Sequence, residues 1–221
     1  MDLSFTADGD LVCCHRGSVM QKRLGLEQPL AKMTTTEFLK HRCDGRFGLM
    51  DLATLLRRVS ARRGAYIVTD TKNAFRPSLE KVVETAEAVD PRLVGRIIPQ
   101  FYQPRQWREV AEVEAVHGPF ATVIFTLYRT KLDDDAVVAF VRNRRVPVVT
   151  MSRKRFNPDL VKRLTAAGVD VMVHTVNGEA AVRSYLSQGV RGVYTDDFFS
   201  QRNPAQSPAR TRRGLLPKNS G

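Results

Sequence analysis

The chain reads as an α/β protein, a (β/α)8 barrel of the TIM type that is short of its first strand and carries a small β-hairpin insertion. Three observations predict this. From residue 65 to residue 195, short apolar runs alternate with amphipathic stretches. The runs are continuously apolar, as in a parallel sheet covered by helices. No glycine-rich phosphate loop follows any of them, which counts against the rival reading, an open doubly wound sheet.

The elements follow in order. Asp8-Gly9 is a strong hairpin signal between the apolar runs at 2–6 and 12–15. Residues 16–33, with Gly17, Gly25 and Pro29, read as a loop. Thr34 followed by Glu37 opens a helix as a capping box. Gly45 and Gly48 break the chain, and Leu52, Leu55, Leu56 and Val59 then share one helical face. A strand at 65–70 begins the regular alternation. Helices are expected at 78–89, 104–116, 133–143, 157–167 and 178–188, and strands at 95–100, 121–127, 146–151, 169–174 and 190–195. Barrel strands therefore fall near 2–6, 66–70, 96–100, 121–127, 146–151, 169–174 and 191–195, one fewer than a closed barrel of this type requires. Residues 1–199 form one domain in this reading, and 200–221 a basic disordered tail.

Composition narrows the function classes. Of the 221 residues 43% are hydrophobic, enough for a large core, and no apolar stretch is long enough to span a membrane. No signal-peptide pattern opens the chain, and the expected compartment is cytoplasmic. Cys13, Cys14 and Cys43 lack metal-ligand spacing and read as buried or half-buried thiols, not disulfides or zinc ligands. The net charge of +12, with Arg202, Arg210, Arg212, Arg213 and Lys218 in the tail, favours anionic partners. It permits peripheral membrane contact, whereas no motif for specific nucleic-acid binding is present.

In a barrel the chemistry sits at the C-terminal ends of the strands. Those ends present His15, Asp70 with Lys72, Gln100, Tyr128, Ser152, His174 with Asn177, and Asp196 with Asp197, while Asp2 opens the hairpin. Carboxylate oxygens from Asp2 and Asp70 suit a hard divalent cation, Mg²⁺ or Ca²⁺. A cation and a lysine that neutralise phosphate oxygens, with an imidazole that moves a proton, are the equipment of phosphodiester cleavage. Lys72, Gln100, His174 and Asn177 are the candidate substrate-binding residues. Asp196 and Asp197 also read as caps or solvated residues, His41 and His117 as structural or exposed, and Trp107 as a packing residue.

The order of these motifs resembles the glycerophosphodiester phosphodiesterases, whose superfamily includes the phosphatidylinositol-specific phospholipases C. Residues 2–15 resemble the family's Glu-x-Asp…Thr-x-Asp-Gly…Val-x-x-His stretch. Asp70-Thr71-Lys72 resembles its Glu-x-Lys, His174-Thr175-Val176-Asn177 its Trp-Thr-Val-Asn, and Gly192 to Asp196 its Gly-Val-x-x-Thr-Asp. The resemblance implies a (β/α)8 barrel in lipid metabolism that cleaves a glycerophosphodiester, or a related phospholipid headgroup ester, to a phosphomonoester and an alcohol. It implies Asp2 and Asp70 as metal ligands, His15 as one of two catalytic histidines, and Lys72 as a phosphate neighbour.

The departures carry expectations too. The glutamate of Glu-x-Asp would stand one position before Met1, and the family's His-Arg-Gly motif earlier still. Met1 is therefore expected to be an internal methionine of a longer reading frame. Asp70 replaces a glutamate, His174 replaces a tryptophan, and His15 is followed by Arg16 where the family more usually has aspartate. The alternative function is a catalytically inactive relic that binds anionic phospholipid headgroups.

Overall fold

The computed structural model describes residues 1–15, 17–71 and 73–197. Lys72 and the expected tail at 200–221 lie outside the described residues. The chain divides into two compact units, one of residues 1–101 with 105–121, the other of 102–104 with 122 onward.

In the first unit, β1 (Asp2–Phe5) and β2 (Leu11–Cys13) form the expected hairpin. Leu3 pairs with Cys13, Ser4 with Val12 and Phe5 with Leu11. Gly9, at φ 79°, takes the left-handed turn position that side chains other than glycine's resist. The expected loop at 16–33 is only partly a loop. It contains α1 (Ser18–Arg23) and a 3₁₀ turn at Leu30–Lys32. Both are too short to show a hydrophobic period, and tertiary packing holds them. Leu24 enters a satellite core with Val12, Cys14 and Phe38, against which Met20, Leu26 and Leu30 pack. The next helix, α2 (Thr35–Lys40), has both halves of the expected capping box.

A small hairpin of β3 (Arg42–Cys43) and β4 (Phe47–Gly48) was not expected. Its signal was the dipeptide Asp44-Gly45, both residues of which take positive φ. α3 (Leu52–Ser60) starts at Asp51, whose Oδ1 accepts the Thr54 N–H at 2.7 Å. β5 (Ile67–Thr71), α4 (Phe75–Val89), a 3₁₀ turn at Pro91–Arg96, β6 (Ile97–Phe101) and α5 (Gln106–His117) complete the unit. Pro77 falls in the first turn of α4, where its missing N–H costs no intrahelical bond. β1 pairs with β5 and β5 with β6, both in parallel. Leu79, Val82, Val83 and Ala86 of α4 are buried, as their spacing predicts. Trp107 packs as expected, its ring 5.8 Å from that of Phe101.

The second unit continues the alternation with β7 (Ile124–Thr126), α6 (Asp134–Arg144), β8 (Val148–Ser152), α7 (Pro158–Ala166), β9 (Asp170–His174), α8 (Glu179–Ser187) and β10 (Gly192–Val193). β7, β8, β9 and β10 pair in that order, every pairing parallel. Val148, Val149, Met151, Val171 and Val173 are buried, and the Phe125 ring meets that of Phe140 edge-on at 5.2 Å. Among the described residues no helix is long and apolar enough to cross a membrane.

Candidate active site

In the first unit the site is organised by strand register. Asp2 and Asp70 are direct partners in the parallel β1–β5 pairing. Paired residues of neighbouring strands project from the same face, so the two carboxylates stand side by side. The register is held by the Asp70 N–H, which donates to Met1 O at 2.8 Å, and by the N-terminal ammonium, which donates to Val68 O at 2.6 Å. Asn73, which the sequence reading passed over, fixes the loop after β5. Its Oδ1 accepts the Phe5 N–H at 3.1 Å. A polar residue just past a strand end was the only signal for it.

His15 follows the end of β2 and is exposed. Its position is set by buried neighbours. Ser4, fully buried, donates its hydroxyl to Cys14 O at 2.8 Å, which draws the end of β2 onto β1. Burial pushes the Cys14 thiol up to about 11, and the nearby Asp2 carboxylate and Cys43 add to the shift. Gly17, at φ 137°, lies beside the imidazole, and a Cβ built on it would be 4.0 Å from His15 Nδ1. Gln100, on β6, is buried.

The Thr6-x-Asp8-Gly9 stretch of the hairpin is a clamp. Thr6 donates its hydroxyl to Asp8 Oδ1 at 2.6 Å. Asp8 in turn accepts the Thr35 N–H at the start of α2, at 3.1 and 3.0 Å to its two oxygens. These bonds, that from Thr6 foremost, hold the Asp8 carboxyl below the ordinary carboxylate range. Lys81 of α4 reaches Asp10 at 2.9 Å.

A pocket of about 190 Å³ opens beside His15 within this unit. Leu26, Pro29, Leu30 and Ala31 form an apolar wall, to which Cys14 and Gln21 add.

In the second unit, His174 ends β9 between two aromatic rings, with Tyr128 edge-on at 6.4 Å and Tyr194 tilted at 6.0 Å. The Arg129 guanidinium lies over the rings of Tyr102 and Tyr128 at 5.5 and 5.8 Å. Asn177 is exposed, but both ends of its amide are engaged. Its Nδ2 donates to Asp196 Oδ2 at 3.0 Å, and its Oδ1 accepts the Asp196 N–H at 3.0 Å and the Thr195 hydroxyl at 3.2 Å. Asp197 accepts the N–H of Gly178, the residue just before α8, at 2.6 Å. His117 pairs with Glu87 at 3.0 Å, the structural one of the two roles read for it. All three cysteines are free thiols.

Two aligned carboxylates are hard oxygen donors and suit a divalent cation. Among the described residues no group of three or more histidine, cysteine or acidic side chains comes together. That donor set would leave the rest of a cation's shell to water and phosphate oxygens.

The fold matches that of a class, the α/β-barrel phosphoric diester hydrolases. A model of the glycerophosphoryl diester phosphodiesterase family matches residues 1–198. The chain belongs to that family, whose members typically use divalent cations. Solved structures agree on the fold. A phosphodiesterase from Oleispira antarctica, in complex with the product sn-glycerol-3-phosphate, has a TM-score of 0.72 at 13% identity, over 88% of this chain and 79% of its own. The glycerophosphodiester phosphodiesterase of Thermotoga maritima has a TM-score of 0.66 at 16% identity, over 88% and 80%. That of Parabacteroides distasonis has a TM-score of 0.66 at 16% identity, over 88% and 77%. Among curated proteins none matches the chain significantly.

Proposed function

We propose that this chain hydrolyses glycerophosphodiesters, releasing glycerol phosphate and an alcohol, with Asp2 and Asp70 holding a divalent cation. The observation that carries the reading is the side-by-side register of Asp2 and Asp70, with His15 at the end of the strand that pairs with β1 on its other side. When bound, such a cation supplies positive charge to the phosphate oxygens. Lys72, two residues after Asp70, adds a second positive charge to the same oxygens.

His15 acts on the proton inventory. Water attacks phosphorus and loses its proton to solvent as the P–O bond to the alcohol breaks, and the imidazole delivers a proton to the departing alcohol oxygen, so that the alcohol leaves neutral. The exposure of His15 suits this role, because the ring must exchange that proton with solvent between turnovers. Gln100 and His174 are proposed to orient substrate. Asn177 acts on the substrate indirectly, by holding the segment that carries Asp196.

The test is hydrolysis of glycerophosphodiesters by the full chain, with Mg²⁺, with Ca²⁺ and with chelator. Metal-dependent release of glycerol phosphate that disappears in Asp70→Asn and His15→Ala supports the reading. Binding of vesicles rich in anionic phospholipid, without cleavage of any diester by a folded chain, transfers the protein to the non-catalytic reading.

A further inference from the structure

We infer that the pocket beside His15 is the seat of the departing alcohol, and that it takes an uncharged, mainly aliphatic group of about six non-hydrogen atoms. The inference rests on the assignment of His15 as the proton donor to that alcohol, and it goes beyond that assignment by naming the chemistry of the group.

Position comes first. A group that protonates the departing oxygen touches the first atom of the alcohol, so the rest of the alcohol must occupy space bordering the imidazole. Within this unit His15 itself lines the pocket.

The wall decides the chemistry. Leu26, Pro29, Leu30 and Ala31 present hydrocarbon, and among the described residues the lining holds no carboxylate and, apart from the His15 imidazole, no aromatic ring. A quaternary or primary ammonium headgroup is held by such carboxylates or aromatic faces. Cys14 offers a thiol, which is uncharged at neutral pH. Gln21 offers one neutral amide, enough for a single hydroxyl or ester oxygen.

The size follows from the volume. A cavity of about 150 Å³ holds benzene, a group of six carbons, and a pocket of about 190 Å³ holds a group of similar size. The wall is also built to keep its shape. Leu24 is anchored in the satellite core with Val12 and Phe38, the Leu26 N–H donates to Gln21 O at 3.0 Å, and the Met33 N–H donates to Leu30 O at 3.0 Å.

The experiment is a chain-length series of glycerophospho-n-alkanols, methyl to octyl, with glycerophosphocholine as the charged comparison. The expected kcat/KM rises by up to about fourfold for each methylene that is fully buried. It levels off near six carbons, and the choline ester falls below the hexyl ester. Ala31→Trp and Leu30→Trp, which fill the pocket from two positions, should each flatten the series. In parallel, n-hexanol should shift the His15 ring resonances saturably in the wild-type chain and fail to do so in either tryptophan variant.

Cleavage of the methyl ester with no chain-length dependence overturns the pocket assignment and leaves the phosphodiesterase reading standing. A choline ester preferred over the hexyl ester overturns it as well, as does a His15 signal that n-hexanol does not move. Saturable hexanol binding at His15 in a chain that cleaves no diester removes the phosphodiesterase reading, and with it the assignment of the pocket to a departing alcohol, and leaves only an alcohol-binding pocket.

Discussion

Asn177 and Asp196 hydrogen-bond each other twice, side chain to side chain at 3.0 Å and the Asp196 N–H to Asn177 Oδ1 at 3.0 Å. The two residues belong to separate motifs, His174 to Asn177 at the end of β9 and Gly192 to Asp196 at the end of β10. The backbone reinforces the link, since the Val176 N–H donates to Tyr194 O at 2.8 Å and the Tyr194 N–H to Val173 O at 2.9 Å. The bracket places His174 against Tyr194 and keeps that ring at the strand end.

Asn177→Ala removes the bracket. Because the residue is exposed, water replaces part of what is lost, and the expected cost is about 1 kcal/mol. For a chain of this size that lowers Tm by about 2–4 °C, which calorimetry reads directly. An unchanged Tm would show that backbone pairing alone holds the segment.

The histidines should separate cleanly. His15→Ala is expected to lower kcat by ~10²–10⁴-fold, the usual contribution of a positioned proton donor. His117→Ala should leave kcat unchanged, since its partner is Glu87 at the end of an outer helix pair. Asp70→Asn should cost about 10²–10³-fold without loss of Tm, because it removes one of two adjacent like charges. Steady-state kinetics on the three variants, with a melting curve for each, decides the matter.

Acid should weaken the fold through two carboxylates far from the chemistry. Asp8 is held low by Thr6 and the Thr35 N–H, and Asp90 is held down to about 2, chiefly by the Arg92 guanidinium. Each binds its proton more weakly in the folded chain than in the unfolded one. The stability they contribute is therefore complete above the unfolded value of 3.8 and is lost as pH falls through the folded values. Urea midpoints should drop between about pH 4 and about pH 2, and Asp90→Asn should flatten that slope. Equal slopes in variant and wild type would rule out the Asp90 contribution.

The vicinal thiols should be inert in the native chain. Burial pushes Cys13 and Cys14 each to about 11. At about pH 8 their thiolate fraction is then on the order of 100-fold below that of a free cysteine. Alkylation followed by mass spectrometry should leave both unmodified until urea is added. Rapid native labelling of either would contradict the enclosure of half-buried Cys13 and buried Cys14.

The alternation of apolar runs with amphipathic stretches carried the fold class, because each element's hydrophobic period is local and needs no knowledge of its neighbours. The cap at Thr34, the Asp8-Gly9 turn and the inward face of α4 were legible for the same reason, as was the family, through short motifs in fixed order. The segment from α1 to the 3₁₀ turn at Leu30–Lys32 was not. Its elements are too short for a hydrophobic period to repeat, and they exist because Leu24 and Phe38 find a common core with Val12 and Cys14.

Residue types alone named Asp2, Asp70 and His15. Only the pairing of β1 with β5 set the two carboxylates on one face, and only the packed segment beyond β2 made a pocket beside the histidine. Asn177 shows the same division. Its place in a motif marked it for the substrate, whereas contacts that span nineteen residues of sequence tied it to Asp196. Local chemistry lies in the order of residues. Register and enclosure depend on which distant segments meet, and burial of side chains far apart in sequence settles that.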